Sequence, residues 1–152
     1  MRRRWTMQTP LNEILEKKGT EIISVSSATN VTDAVRSMNS HSIGCLLVID
    51  DGRTVGIFTE RDVLTRVIEH GRDHAATPVA DVMSQDPVSI DHQATLGEAM
   101  AVMRTRRFRH LVVTGEGGMP CGLLSINDLI GWLVEDHEHE IEQLTNYIAG
   151  SY

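Results

Sequence analysis

An excess of basic residues is missing from this sequence, as are long apolar runs, arrays of cysteine and the short motifs that announce a catalyst. Lys and Arg total 14 against 21 Asp and Glu, a formal net charge of −7, which argues against general affinity for nucleic-acid backbone or anionic lipid. Any anion site must therefore be local. No window approaches the ~20 apolar residues of a membrane span. The basic start MRRRW is followed by TMQTPLNE, where a signal peptide needs an apolar stretch of about 7 to 15 residues. No membrane partner and no export are expected, and Arg2, Arg3 and Arg4 read as a frayed terminus. The two cysteines, Cys45 and Cys121, form neither a disulfide framework nor a zinc pattern, and a reducing cytoplasm fits them best.

Several apparent motifs fail on spacing. In HEHE (137–140) the two histidines are two residues apart and point to different helix faces, so no metal is expected. GEGGMPCG lacks the lysine and hydroxyl of a P-loop and reads as a hairpin turn. No Ser/His/Asp set or carboxylate pair stands at telling spacing, so no catalytic residue and no enzyme activity are expected, and no cofactor is required.

What the sequence does contain is a duplication. GIFTERD, Gly56 to Asp62, returns as GLLSIND, Gly122 to Asp128. EIISVSSATNVTDAVRSM (21–38) lies over DPVSIDHQATLGEAMAVM (86–103), with Val25 on Ile90, Ala34 on Ala99 and Met38 on Met103. The constant offset of 65 carries LLVID (46–50) onto LVVTG (111–115) and becomes 66 in a Gly-rich turn, where an extra residue costs least. Each unit reads as strand, helix, strand, turn, strand, helix. IISV is a β-branched strand; NVTDAVRSM and TLGEAMAVM have helical spacing, the second with Thr95 and Glu98 as a capping box. CLLVI and HLVV are buried strands that turn back through DDGR and GEGG. ERDVLTRVIEHG and NDLIGWLVEDHEHEIEQLTNYIAG are closing helices, and TPLNEILEKKG and TPVADVM are short lead-in helices with Thr-Pro starts, Thr9-Pro10 and Thr77-Pro78.

A unit of about 60 residues cannot cover both faces of a three-stranded sheet by itself. The expected fold is α/β (α+β), two pseudo-twofold β-α-β-β-α repeats over 9–72 and 77–135, packed through their sheets, with a helical extension over 136–152. Any shared cleft lies between the repeats. On the extension, Ile141, Leu144, Tyr147 and Ile148 form an apolar stripe expected to pack on a second chain, in a homodimer, or on the module's own edge.

The duplicated GIFTERD and GLLSIND, with the phrases MNSHSIGCLLVID and MRTRRFRHLVVTG in order and at matching spacing, resemble a tandem pair of cystathionine-β-synthase (CBS) domains, or Bateman module, over roughly 9–135. The resemblance implies a signal-transduction protein whose inter-repeat cleft binds an adenosine nucleotide: AMP, ADP, ATP or NAD. It assigns ribose contacts to Asp62 and Asp128, and phosphate contacts to Thr59, Ser125, Arg109, His110 and Lys18. It assigns the adenine pocket to Ile23, Ile43, Val88 and Phe108. Physical chemistry is consistent with this, since a helix N-terminus favours phosphate and an aspartate can accept from both ribose hydroxyls. Helix capping is an alternative explanation for each Ser/Thr-x-x-Asp, and a protein scaffold without nucleotide is the alternative function. RRFRH (106–110) stands opposite HSIGC (41–45), so the two halves are expected to be unequal in charge. CBS pairs also occur within inosine-monophosphate dehydrogenases, but this chain has no room for a catalytic barrel, and its output is expected on an unknown regulated protein.

Overall fold

The computed structural model describes residues 5–19 and 21–149; the side chains of Asp136, His139, Glu140, Gln143, Tyr147 and Ile148 also lie outside the description. Arg2, Arg3 and Arg4, part of the apolar stripe and residues 150–152 of the extension therefore fall beyond it. In order, the elements are α1 (Leu11–Lys18), β1 (Ser24–Val25), α2 (Val31–His41), β2 (Cys45–Asp50), β3 (Arg53–Thr59) and α3 (Glu60–Asp62), which continues as a π-helix over Val63–Ile68. The second half follows with β4 (Ser84–Gln85), β5 (Ser89–Asp91), α4 (Leu96–Arg106), β6 (His110–Thr114), β7 (Pro120–Ser125) and α5 (Ile126–Ala149).

The duplication is carried into hydrogen bonding. In each repeat a parallel pair, β1 with β2 or β5 with β6, is extended by an antiparallel hairpin, and both hairpins slip register at the same place, after Val48 and after Val113. Asp51 and Gly52 make the first turn with φ of 50° and 76°, the two positive values that suit the strand twist in a two-residue hairpin. Side-chain alternation then splits the apolar residues of each sheet. Leu46 and Val48 enter one core with Val31, Ala34, Met38 and Phe58, while Leu111 and Val113 enter the other with Leu96, Ala99 and Met103. Leu47 and Val112 are buried but belong to neither core; they lie on the opposite sheet faces, where the repeats meet.

Several local expectations change. TPVADVM is a single 3₁₀ turn, Val79–Asp81, rather than a helix, because Met83 bends directly into Ser84–Gln85, an edge strand on β3 that alternation alone did not signal. The IISV strand shortens to Ser24–Val25. ERDVLTRVIEHG leaves α geometry after one turn and ends at Ile68. The Thr95–Glu98 capping box forms as expected, with reciprocal bonds of 2.8 and 3.2 Å.

The lead-in segments are exchanged. α1 opens the first repeat in sequence but buries Leu11, Ile14 and Leu15 in the core of the second. Backbone bonds lock it there: Leu11 N–H donates to the Ala94 carbonyl (2.8 Å) and Leu96 N–H to that of Thr9 (2.9 Å). Reciprocally, Val79 and Val82, at the opening of the second repeat, lie in the core of the first, where Val79 N–H reaches the Thr29 carbonyl at 2.7 Å and Val31 N–H that of Thr77 at 2.9 Å. Each buried aliphatic side chain is worth about 1.5–3 kcal/mol. Gly122 makes room for the exchange, since a Cβ there would stand 2.7 Å from Leu15.

Leu11→Ala is therefore expected to destabilise the protein by about 2–5 kcal/mol in urea denaturation. Native-state hydrogen exchange should show the protection lost in α4 and β6; loss confined to α2 and β2 would contradict the exchange.

Candidate functional site

Between the repeats lies a cavity of about 1050 Å³, lined by residues of both. Every residue proposed from sequence reaches it: Thr59, Asp62, Ser125, Asp128, Arg109, His110, Lys18, Ile23, Ile43, Val88 and Phe108. They arrive by equivalent routes. Cys45 pairs with Thr59 and His110 with Ser125, so each hydroxyl ends the second hairpin strand directly beside the start of the first. The closing helix then begins under the carbonyl of the residue before that first strand: Glu60 N–H donates to Gly44 (3.0 Å) and Ile126 N–H to Arg109 (2.8 Å).

Both Ser/Thr-x-x-Asp motifs cap their helices. Asp62 Oδ2 accepts from Thr59 N–H (2.9 Å) and from its hydroxyl (3.1 Å), while Asp62 N–H returns a bond to Thr59 Oγ1 (3.3 Å). Asp128 Oδ2 accepts from Ser125 N–H (3.0 Å), and Asp128 N–H donates to Ser125 Oγ (3.1 Å). Capping and a ligand role are thus compatible only as far as the carboxylates retain free lone pairs, and here the two sites differ. Asp62 is 5% exposed and also faces the Arg66 guanidinium at 3.6 Å. Asp128 is more open and takes its cation, Lys18, from α1; that ammonium also donates to the Leu123 carbonyl oxygen at 2.7 Å. Lys18 therefore does not cap its own helix but crosses to the second repeat.

Charge divides the cleft as the sequence implied. Arg107, Arg109 and His110 border one part of it, while Gly44, opposite Arg109 in the duplication, lies against a carboxylate: a Cβ on Gly44 would stand 3.0 Å from Glu60. Glu60 and Arg107 were not singled out from sequence. Their signals were present, since Glu60 sits inside GIFTERD where the twin has Ile126, and Arg107 occupies the left-handed helix end (φ 56°) that Ser42 (φ 53°) fills in the first repeat. Among the apolar candidates, Ile23 and Ile43 also pack on the first core and Val88 on the second. Phe108, 45% exposed, belongs to neither.

Burial moves the titrations. His110 is held below its ordinary value, first by burial and then by the positive charge of Arg109, with Asp128 opposing and Lys18 adding to the effect. Burial alone would raise the Asp128 carboxyl, but hydrogen bonds from Lys18 and Ser125 outweigh it and leave it below the usual range. The Cys45 thiol is pushed up to about 12 by burial and then by Asp62, so it stays protonated and unreactive. Among the described residues no group of three or more His, Cys, Asp or Glu could hold a metal ion, and no helix is long and apolar enough to cross a membrane.

The CBS domain family matches this chain twice, over residues 9–69 and 79–135. The protein is a tandem CBS-domain protein. It is 32% identical to the mitochondrial CBS domain-containing protein CBSX3 of Arabidopsis thaliana over 95% of this chain and 74% of that one. A solved protein with CBS domains from Burkholderia ambifaria, provisionally described as acting in signal transduction, is 35% identical, with a TM-score of 0.79 over 84% of this chain and 96% of that one. The CBS-domain protein ATU1752 of Agrobacterium tumefaciens gives 32% identity and a TM-score of 0.75, covering 81% and 98%. The CBS pair is a regulatory module of signal-transduction proteins.

A histidine whose folded pKa lies below its unfolded value binds fewer protons when folded. Its contribution to stability is therefore present above about pH 6.5 and lost as pH falls. Between about pH 7 and 5 the thermal midpoint should fall more in the native protein than in His110→Gln, and the His110 ring resonances should titrate with a midpoint below about 6.5. An equal fall in both proteins would remove His110 as the cause. Asp128, being a depressed carboxyl, acts in a separate window below about pH 4.

Proposed function

We propose that this protein is an adenosine-nucleotide-binding regulatory module that takes AMP, ADP, ATP or NAD into the inter-repeat cleft and alters its affinity for a separate regulated protein as the energy state of the cell changes. One observation carries the reading: both hydroxyl–aspartate pairs, Arg109, His110 and the exposed Phe108 border a single cavity of about 1050 Å³ in a chain whose net charge is −7. In an acidic protein, a local cluster of cations beside an apolar surface fits an anion that also carries an aromatic base. The ribose falls to Asp128 and Asp62, the phosphates to Arg109, His110 and Lys18 with Thr59 and Ser125, and the base to Ile23, Ile43, Val88 and Phe108. The resulting complex forms reversibly, with no bond made or broken. Any change of shape is limited to the difference in ligand affinity between two states of the module.

Association as a homodimer in the cytoplasm accompanies this reading. Its support is the exposure of Leu64 and Ile68 on the π-helix and of Ile130, Val134, Ile141 and Leu144 on α5, the last four at spacings of the kind that pack helix on helix. Light scattering on the purified chain is expected to give twice the mass of one chain, and Ile130→Asp with Val134→Asp is expected to halve it. A single-chain mass for the unaltered protein removes the dimer.

Calorimetry with AMP, ADP, ATP and NAD tests the ligand. Binding is expected in the micromolar to millimolar range, with a loss of about tenfold or more for Asp128→Ala as a charge-assisted contact disappears. AMP should bind more tightly than 2′-deoxy-AMP. No binding by any of the four, or unchanged binding in both Asp62→Ala and Asp128→Ala, would return the chain to the scaffold alternative.

A further inference from the structure

We propose that Lys18 is a specificity-determining gate over Asp128: it holds the carboxylate occupied until an anionic group on the ligand draws its ammonium away, so that the cleft admits phosphorylated adenosines in preference to adenosine itself. This rests on the nucleotide reading of the cleft and adds to it the class of ligand that the second half accepts.

The two halves treat equivalent carboxylates differently. Asp62 has its cation on its own helix four residues on, and that guanidinium is anchored by further bonds to the carbonyls of Val82 (3.3 Å) and Met83 (2.7 Å). It cannot follow a ligand without leaving three partners. Lys18 comes from a different element, 110 residues away in sequence, at the last position of α1. Its ammonium is a point charge on a four-carbon stem, with two of its three donors used, on Asp128 Oδ2 and the Leu123 carbonyl. The side chains of Lys18 and Asp128 are 35% and 29% exposed, so water and a ligand can both compete for the pair. Gly19 follows at φ 97° with nothing within 4 Å of its Cβ direction.

Ligand chemistry decides whether the pair opens usefully. A ribose that hydrogen-bonds Asp128 must share it with Lys18 or displace it. Adenosine has no charge to offer a displaced ammonium, so the ion pair is lost without replacement. A phosphate carries up to two charges and several acceptor oxygens, and Arg109 and His110 border the same cavity. Lys18 can then exchange a carboxylate for a phosphate, releasing Asp128 to the ribose in the same movement. Nothing comparable exists at Asp62, where the cation stays with its carbonyls.

Calorimetry with AMP and adenosine on the native protein, Lys18→Met, Lys18→Arg and Lys17→Met tests the gate. Methionine keeps the apolar stem and removes the charge; the expected result is a fall of about tenfold in the ratio of AMP affinity to adenosine affinity, through weaker AMP binding, stronger adenosine binding or both. Arginine should restore most of the preference. Lys17→Met, which removes the neighbouring ion pair to Glu135 instead, should leave the ratio unchanged. A native ratio in Lys18→Met, or equal losses for both ligands, overturns the gate while leaving the nucleotide reading standing. A native protein that binds neither ligand overturns the nucleotide reading and the gate with it.

Discussion

The exchange of lead-in segments is the interaction on which the rest of the molecule depends. Without α1 the second core would lack Leu11, Ile14 and Leu15, and without Val79 and Val82 the first would lie open on one side. The backbone bonds that hold the two segments are near copies, each joining the start of a lead-in to the N-cap region of the opposite repeat. Because the ties are made twice and in opposite directions, the repeats are fixed in relative position as well as in content. A cleft between two bodies is a binding site only if its walls keep their spacing, and this exchange supplies that constraint.

Within that frame, similarity of backbone and difference of side chain divide the work. Equivalent hydrogen bonds, Glu60 to Gly44 and Ile126 to Arg109, tie the starts of the closing helices to their strands in the same way. What is mounted there differs: a carboxylate against a glycine on one side, an arginine and a histidine of lowered pKa on the other. A duplicated scaffold thus gives one cavity two electrostatic characters.

Much of this was legible in the residues, and what was not has a physical reason. The strands, the hairpins and the Thr95–Glu98 cap announced themselves through local pattern, and the constant offset tied them into repeats. All eleven proposed site residues reach the cavity, and all but Lys18 belong to positions whose backbone is repeated; Lys18 arrives on α1, whose counterpart is a single turn. The destination of α1 was hidden, since amphipathic spacing says that a helix must cover something without naming which sheet. The turn at Val79–Asp81 and the short strand Ser84–Gln85 were hidden too: both are fixed by contact with the first repeat, at Thr29 and at Gly56, rather than by their own sequence. Glu60 escaped notice because its importance is relational. A glutamate after a cap is ordinary, and only the bare Gly44 beside it gives its charge a place in the cleft.

The crossing of the lead-ins also means that the boundaries of the repeats along the chain are not boundaries in space. A cut in the linker near residue 75 would give two fragments, each holding the key to the other's interior and neither its own. Such halves would find their missing pieces only in the complementary fragment, at a penalty set by concentration. Joining them in one polypeptide replaces that encounter with a tether, and so makes the completeness of each core independent of how much protein is present.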